Sequence, residues 1–225
     1  MFRKCLTGLG LTVMLMSTSY AQKVDCHIDS LNRELLAMEE EDQAVRRELM
    51  PALAQYQQDG SGKMELITIA MKMENIDQQN QARLKAIFGQ CGWPNELSEE
   101  AHQAVFLILQ HSDDSLMRAH FPRLTDMRDK GYISASDWGT MLDRLLMNEG
   151  KPQKYGTQSF ADKDNVNLIW PVANADSLEV WRKTIGLPDM ETYISIAKDS
   201  MQIQMKWDKK LTLEEALKRK EESNL

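Results

Sequence analysis

The chain has 225 residues, of which 42% are hydrophobic and 27% charged, and its formal net charge is −7 at pH 7. These proportions indicate an ordinary globular protein of one large domain, or of one domain with appendages. The acidic balance argues against nucleic acid or an anionic membrane as a partner.

The first 21 residues have the features of a secretory signal peptide. Arg3 and Lys4 precede a short apolar run over residues 6–16, and small residues before a cleavage position end at Ala21. The apolar run is too short to span a membrane, and no later stretch reaches the roughly 20 apolar residues that a span requires. We therefore expect residues 1–21 to be removed, with the mature protein periplasmic or secreted and not inserted in a membrane. The loss of Arg3 and Lys4 takes the formal charge from −7 to about −9.

Two long helices are predicted next. Apolar residues spaced by threes and fours predict a helix over about 29–58 and a second helix over about 64–88. Pro51 predicts a kink or an interruption of the first helix near Leu49. A glycine-rich turn joins them, so they form an antiparallel hairpin that returns Cys91 to Cys26. In an oxidising compartment such an even pair predicts a disulfide. A metal or redox pair is disfavoured, because the C-x-x-C spacing is absent.

Six consecutive apolar residues at positions 104–109 predict a helix buried on most sides, which we expect to be the central element. The polar run from Gln110 to Asp114 follows it directly. Further helices are predicted over about 113–129 and from Ser134 to Gly150.

The character of the chain changes after Gly150. Two β-prone segments, at 154–160 and 166–170, predict one small hairpin, and short helices are predicted beyond it. Residues 22–200 thus form a mainly α domain, namely a helical bundle with a long N-terminal helical hairpin and one small β-hairpin. Residues 201–225 read as a charged C-terminal tail, partly helical, exposed and frayed.

Four predicted helices carry polar residues on or beside their apolar faces, at Asp42, at Asn80, at Gln110-His111 and at Asp143-Arg144. If the helices pack as one bundle, these groups converge, and burial is costly for polar groups without partners. One interpretation is structural: Asp42 pairs with Arg46 one turn later, and His111 is a satisfied core histidine.

The other interpretation is a functional site. His111 with Asp113 or Asp114 would be a general base and its orienting carboxylate, and Arg144 would bind an anion. Tyr155 or Gln158 would add a hydrogen-bond donor from the hairpin. Acyl and phosphoryl chemistry both suit such a set. We assign no metal, because helical bundles that hold two metals use a Glu-x-x-His motif on each of two helices, a pair that this chain lacks, and we assign no cofactor.

Several of these segments together resemble a bacterial family catalogued as a domain of unknown function. The motifs are Asp42-Gln43-x-x-Arg46, Asn80-x-x-Arg83-Leu84-Lys85, Gly92-Trp93-Pro94, Gln110-His111-x-Asp113, Asp143-Arg144, Gln153-x-Tyr155-Gly156-Thr157-Gln158 and Arg182-x-x-x-Gly186-Leu187-Pro188. The resemblance covers about residues 31–193 and implies no activity. Its motif positions coincide with the polar irregularities, which favours a site. The candidate polar pocket comprises Asp42, Arg46, Asn80, Gln110, His111, Asp113, Asp143, Arg144, Tyr155, Gln158 and Arg182.

Three functional hypotheses follow from the sequence. The first is a periplasmic binding or interaction protein, of inhibitor or immunity type, whose partner is another exported protein or a small ligand. The second is a small hydrolase or lyase that uses His111 with a carboxylate partner. The third is a structural protein of the cell envelope with no ligand.

Overall fold

The computed structural model describes residues 23–162, 166–201 and 203–223, and the predicted signal peptide lies outside these residues. The described part contains eight α-helices and one small three-stranded sheet, which confirms the predicted mainly α class. None of the described helices is both long and apolar enough to cross a membrane.

The helices and strands have the following bounds. The helices are α1 Ile28–Asp59, α2 Lys63–Cys91, α3 Glu99–Gln110, α4 Asp114–Asp129, α5 Ala135–Asn148, α6 Leu178–Thr184, α7 Met190–Met201 and α8 Leu213–Ser223. The strands are β1 Ser159–Ala161, β2 Asn167–Ile169 and β3 Met205–Lys206.

Helices α1 and α2 form the predicted long antiparallel hairpin. The chain reverses at Gly60 and Gly62, whose φ angles of 74° and 77° are in the left-handed region that favours glycine. Helix α1 runs through Pro51, so the predicted interruption does not occur. Contacts with α2 bury Val45 before the proline and Ala52 after it, and this packing outweighs the one helical hydrogen bond that proline removes.

A disulfide between Cys26 and Cys91 closes the base of this hairpin, as predicted. The two Cα atoms lie 5.4 Å apart, within the usual range for a disulfide. The bond therefore ties the start of α1 to the end of α2.

Helix α3 is the central element. The Ser98 side chain accepts a hydrogen bond from the Ala101 N–H and so caps the start of the helix. Most of the residues that follow are buried. Phe106, Ile108 and Leu109 are each at most 2% exposed. They join one large core with residues of α1, α2, α4 and α5, so the predicted buried helix is confirmed.

The β-hairpin is shorter than predicted. Strands β1 and β2 pair antiparallel, with Phe160 opposite Leu168, and β3 adds a short parallel pairing that the sequence analysis did not predict. Residues 154–158 form a loop and not a strand. Gly156 has a left-handed φ of 69°, and a side chain from α5 takes the backbone N–H groups that a β-ladder would use.

The C-terminal segment is partly helical and mostly exposed, as predicted, but one face of α8 packs against the sheet. Ala216 of α8 is fully buried and Leu211 is 7% exposed, in a small core with Phe160, Leu168 and Trp170. The helix has few apolar residues, but the small Ala216 side chain allows it to approach the sheet closely.

Candidate functional site

Asp42 lies at the centre of a polar cluster where α1, α2 and the end of α3 meet. Its side chain is 1% exposed, and both oxygens accept hydrogen bonds. Oδ1 accepts from Arg46 Nη1 at 2.9 Å and lies 3.0 Å from His111 Nδ1, while Oδ2 accepts from Gln43 Nε2 at 2.7 Å. The buried carboxylate therefore has the partners that burial requires.

Arg46 connects this carboxylate to a second one on α2. Its Nη2 donates to both oxygens of Asp77, at 2.8 Å and 2.9 Å. Burial raises the pKa of the Asp77 carboxyl, and the hydrogen bond from Arg46 opposes that rise. Asp42 and Asp77 thus share one guanidinium, which balances part of their charge.

His111 directly follows the last residue of α3, and only one of its two ring nitrogens contacts another described side chain. A carboxylate can only accept a hydrogen bond, so the contact with Asp42 assigns a proton to Nδ1. Nε2 has no protein partner among the described residues, and 18% of the side chain is exposed. The arrangement orients the imidazole so that Nε2 can accept or donate a proton at the surface of a cleft.

That cleft, which we call the Arg144 cleft, has a volume of about 490 Å³ and lies between α3, α5 and the start of β1. Its lining includes Asp77, His111, Met117 and a polar wall. The polar wall comprises Gln110, Ser112, Arg144, Asn148, Gln158 and Ser159.

Arg144 is the unusual residue of the polar wall. Nη1 donates to the Gln110 carbonyl at 2.5 Å and Nε donates to Gln158 Oε1 at 3.3 Å. No carboxylate among the described residues forms an ion pair with it, and Nη2 has no described partner. Burial and the nearby positive charge of Arg46 lower the pKa of the Arg144 guanidinium. The cleft therefore contains a largely buried cation without a counterion.

The loop over residues 153–158 holds Gln158 beside Arg144. The Asp143 carboxylate is fully buried and accepts hydrogen bonds from the backbone N–H groups of Lys154, Tyr155 and Thr157, at 2.8–3.1 Å. The buried Gln153 side chain also bonds the backbone of Gln158, accepting from its N–H at 2.9 Å and donating to its carbonyl at 3.0 Å. Hydrogen bonds of the Asp143 and Gln153 side chains thus hold the loop in this conformation.

Arg182 supports the same loop from its other side. It is fully buried, and it donates from Nη1 to the Tyr155 carbonyl and from Nε to the Pro188 carbonyl, both at 2.6 Å. Its guanidinium lies 4.8 Å from the ring centre of Tyr193, and burial lowers its pKa. Arg182 lies behind the loop, and Tyr155 belongs to the loop. Neither residue lines the Arg144 cleft.

Two further predicted residues lie elsewhere. Asn80 donates to the Met38 carbonyl at 3.3 Å and so joins α2 to α1. Asp113 begins α4 by accepting from the Leu116 N–H at 2.8 Å, and its hydrogen bonds with Ser115 and that N–H lower its pKa to about 2. The predicted pairing of His111 with Asp113 or Asp114 is wrong, because both side chains are engaged around the start of α4 and Asp42 occupies the position beside the ring.

A comparison with protein families gives a match over residues 29–206, to the family of unknown function DUF6624. The chain belongs to this family. The match confirms the resemblance to a domain of unknown function and extends it beyond the expected range of 31–193, by two residues at the N-terminal end and by 13 at the C-terminal end. No curated protein and no solved structure matches the chain.

The fold of this DUF6624 protein brings about half of the predicted pocket together. Asp42 lies in the cluster beside the Arg144 cleft. The predicted residues that line the cleft are Arg46, Gln110, His111, Arg144 and Gln158. Sequence reasoning missed Asp77 as a member of the site. The signal was available, since Asp77 lies one turn before Asn80 and therefore shares its face of α2.

Asp42, Asp77 and His111 also have ligand atoms within 4.8 Å of one another, a grouping that could hold a metal ion. Arg46 already donates to both carboxylates at 2.8–2.9 Å. An ion would have to displace this guanidinium, and its own positive charge would be repelled by it. The arrangement fits an ion-pair cluster better than a metal centre, and we assign no metal.

Proposed function

We propose that the protein is exported and binds a small anionic ligand in the Arg144 cleft. The observation that carries this proposal is the guanidinium of Arg144, which is largely buried and has no ion pair with any described carboxylate. A buried charge without a counterion is costly, and an anionic ligand would remove that cost. A planar guanidinium with Nη2 still open suits a carboxylate or a phosphate oxygen.

The surroundings of Arg144 favour a ligand over a purely structural role. Asp143, Gln153 and Arg182 fix the loop that carries Gln158, and Gln158 in turn orients Arg144. Such support holds binding groups in one geometry before a ligand arrives and so reduces the entropy cost of binding.

The shape of the site favours a small ligand over another exported protein. The cleft is open to solvent, and its volume of about 490 Å³ is in the size range of small-molecule sites. An inhibitor or immunity protein would instead use a broad surface of about 800 Å² on each partner.

Export is part of the proposal. It is supported by the signal-peptide features of residues 1–21 and by the disulfide between Cys26 and Cys91, since disulfides persist in oxidising compartments. Expression of the full chain in a bacterial host should yield a periplasmic or secreted form whose N-terminus is Gln22. A cytoplasmic protein that retains residues 1–21 would contradict this part of the proposal.

Ligand binding can be tested with compact anions as probes. We expect sodium phosphate or sodium acetate, added to the mature protein at constant ionic strength, to shift the NMR signals of the Arg144 Nε–H group and the His111 ring saturably. A dissociation constant in the millimolar range would support the proposal, because such small probes make few contacts. If neither anion shifts the Arg144 signal, the proposed function is wrong.

Two arginine variants make this test specific. Arg144→Gln removes the charge from the cleft and should abolish the anion-dependent shift of His111. Arg47→Gln is the matched control, because Arg47 is an exposed residue of α1 paired with Glu40. It should leave the His111 shift unchanged, whereas an equal loss in both variants would indicate nonspecific charge attraction.

A second candidate function, a small hydrolase or lyase, is favoured by one contact. Asp42 Oδ1 lies 3.0 Å from His111 Nδ1 while Nε2 is open, which is the arrangement of a general base with its orienting carboxylate. Turnover of esters or phosphoesters by the wild-type protein, lost in His111→Gln, would support catalysis. Turnover that persists in His111→Gln would exclude this residue as the base.

A further inference from the structure

We propose that the ligand of the Arg144 cleft is an amphiphile, with an anionic head bound at Arg144 and an aliphatic tail that lies along α2. This inference rests on the proposed function and adds the chemical class of the ligand. Its basis is a second cavity that shares His111 and two neighbouring lining residues with the Arg144 cleft.

The second cavity, which we call the Met73 groove, has a volume of about 510 Å³ and lies on the hairpin of α1 and α2. Leu49, Ala70 and Met73 give it an apolar wall, and its far end reaches Asp77, His111 and Ser112. Ala70, Met73 and Asp77 are spaced by three and four residues, so they share one face of α2. From Ala70 to Asp77 this face is about 10 Å long, at 1.5 Å per residue.

The groove and the cleft share residues. Asp77, His111 and Ser112 line both cavities, which places the His111 ring at their junction. In the proposed binding mode, a ligand that follows the apolar wall of α2 passes His111 before it reaches Arg144. The two cavities differ in lining, since one has an apolar wall and the other has a polar wall with the uncompensated cation.

The charges determine which end of a ligand lies where. Asp77 lines both cavities and is paired with Arg46, so it does not distinguish them. Glu74 and Asp113 line only the Met73 groove, and neither favours an anionic group there. Arg144 is in the other cavity and has no described counterion. An anionic head is thus repelled from the groove and attracted to the cleft, while an aliphatic tail gains from contact with Leu49 and Met73.

The test compares ligands that share a head or a tail. The probes are octyl phosphate and octanoate. Isothermal titration calorimetry measures the binding of each probe to the mature protein, at probe concentrations too low to form micelles. Phosphate and acetate serve as heads without tails, and 1-octanol serves as a tail without an anionic head. Each buried methylene strengthens binding about fourfold, so partial burial of the chain predicts a gain on the order of a hundredfold over the bare head.

Matched variants locate the tail. Ala70→Glu places a carboxylate in the Met73 groove and should weaken octyl phosphate at least tenfold while leaving phosphate unchanged. Met71→Glu adds the same charge at the next residue of α2, whose side chain is 66% exposed and does not line the groove, and should weaken neither. Both positions are exposed on a helix, so neither change should prevent folding. Arg144→Gln should weaken both octyl phosphate and phosphate.

The outcomes separate this inference from the proposed function. If phosphate or acetate binds at Arg144 but the octyl compounds bind no more tightly, the amphiphile is excluded and the proposed function stands. Octanol that binds as tightly as octyl phosphate would also overturn the inference, because the head would contribute nothing. If no probe shifts Arg144, both fail. Tighter binding of octyl phosphate than of octanoate identifies a phosphate head, and the reverse order identifies a carboxylate.

Discussion

At the scale of single residues, Asp42 shows how burial and partners combine. The side chain is almost completely buried, yet Arg46, Gln43 and His111 supply contacts to its two oxygens. The i,i+4 pairing with Arg46 was predicted from the sequence. The contact with His111 was not, because 69 residues separate the two and no local pattern indicates which helix end meets α1.

Replacing Asp42 by Asn should destabilise the protein by about 3 kcal/mol. The change removes the negative charge that pairs with Arg46 in the interior of the protein. The midpoint of urea-induced unfolding at constant slope measures this loss. Asp77→Asn is the control: its side chain is 24% exposed and water can replace part of the interaction, so a loss of about 1 kcal/mol is expected. Equal losses would contradict the central role of Asp42.

His102 should make the protein less stable in mild acid. It is fully buried, its Nδ1 accepts a hydrogen bond from Trp93 Nε1 at 2.9 Å, and burial lowers its pKa from the ordinary value of 6.5. Below pH 6.5 the unfolded chain binds a proton at this residue that the folded chain does not, so the free energy of unfolding falls as the pH falls. Above pH 6.5 the contribution is fully present.

Urea unfolding at a series of pH values between about 8 and 5 checks this dependence. His102→Asn keeps an acceptor near Trp93 and should reduce the slope of the free energy of unfolding against pH. Part of the slope should remain, because burial also lowers the pKa of His120. An unchanged slope in the variant would show that His102 is not the group responsible.

At the scale of helices and strands, the periodicity of apolar residues predicted the helices well. The loops could not be predicted in this way. The spacing of apolar residues identified the long hairpin and the buried run of α3, because a helix repeats its pattern over several turns. Residues 154–158 were predicted as a strand from their composition. Their loop conformation depends on Asp143 and Arg182, which lie outside the segment, and a local pattern cannot reveal such partners.

The disulfide at the base of the hairpin should contribute on the order of 4 kcal/mol, because it closes a loop across a sequence separation of 65 residues. A Cys26→Ser/Cys91→Ser double variant should unfold at correspondingly lower urea concentration. The wild-type protein after reduction is the control and should match it. Thiol titration of the native chain prepared without residues 1–21 should find no free thiol, and two free thiols would refute the bond.

At the scale of the whole molecule, the described residues form one large core and three smaller ones. The large core surrounds α3, whereas the half of the hairpin far from the disulfide, residues 45–76, has a small core of its own around Val45, Ala52 and Ile69. A separate small core buries less apolar area, so we expect this distal half to open more readily than the rest.

Hydrogen exchange can compare the two regions within one sample. Backbone amides of residues 45–76 should exchange at a lower opening free energy than those of α3, whose Phe106 and Leu109 lie in the large core. The Cys26→Ser/Cys91→Ser variant should lower protection at the base of the hairpin as well. Equal protection of α3 and the distal half in the wild-type protein would show that the hairpin unfolds only with the whole molecule.

The position of the disulfide also determines what a protease cut in the hairpin turn does to the protein. The exposed turn from Asp59 to Gly62 is the natural place for a first cut. Because Cys26 and Cys91 lie on opposite sides of that turn, a cut there leaves both pieces covalently joined. A clipped molecule should run at full mass on a gel without reductant and fall into two fragments only when reduced, with its central core still assembled until then.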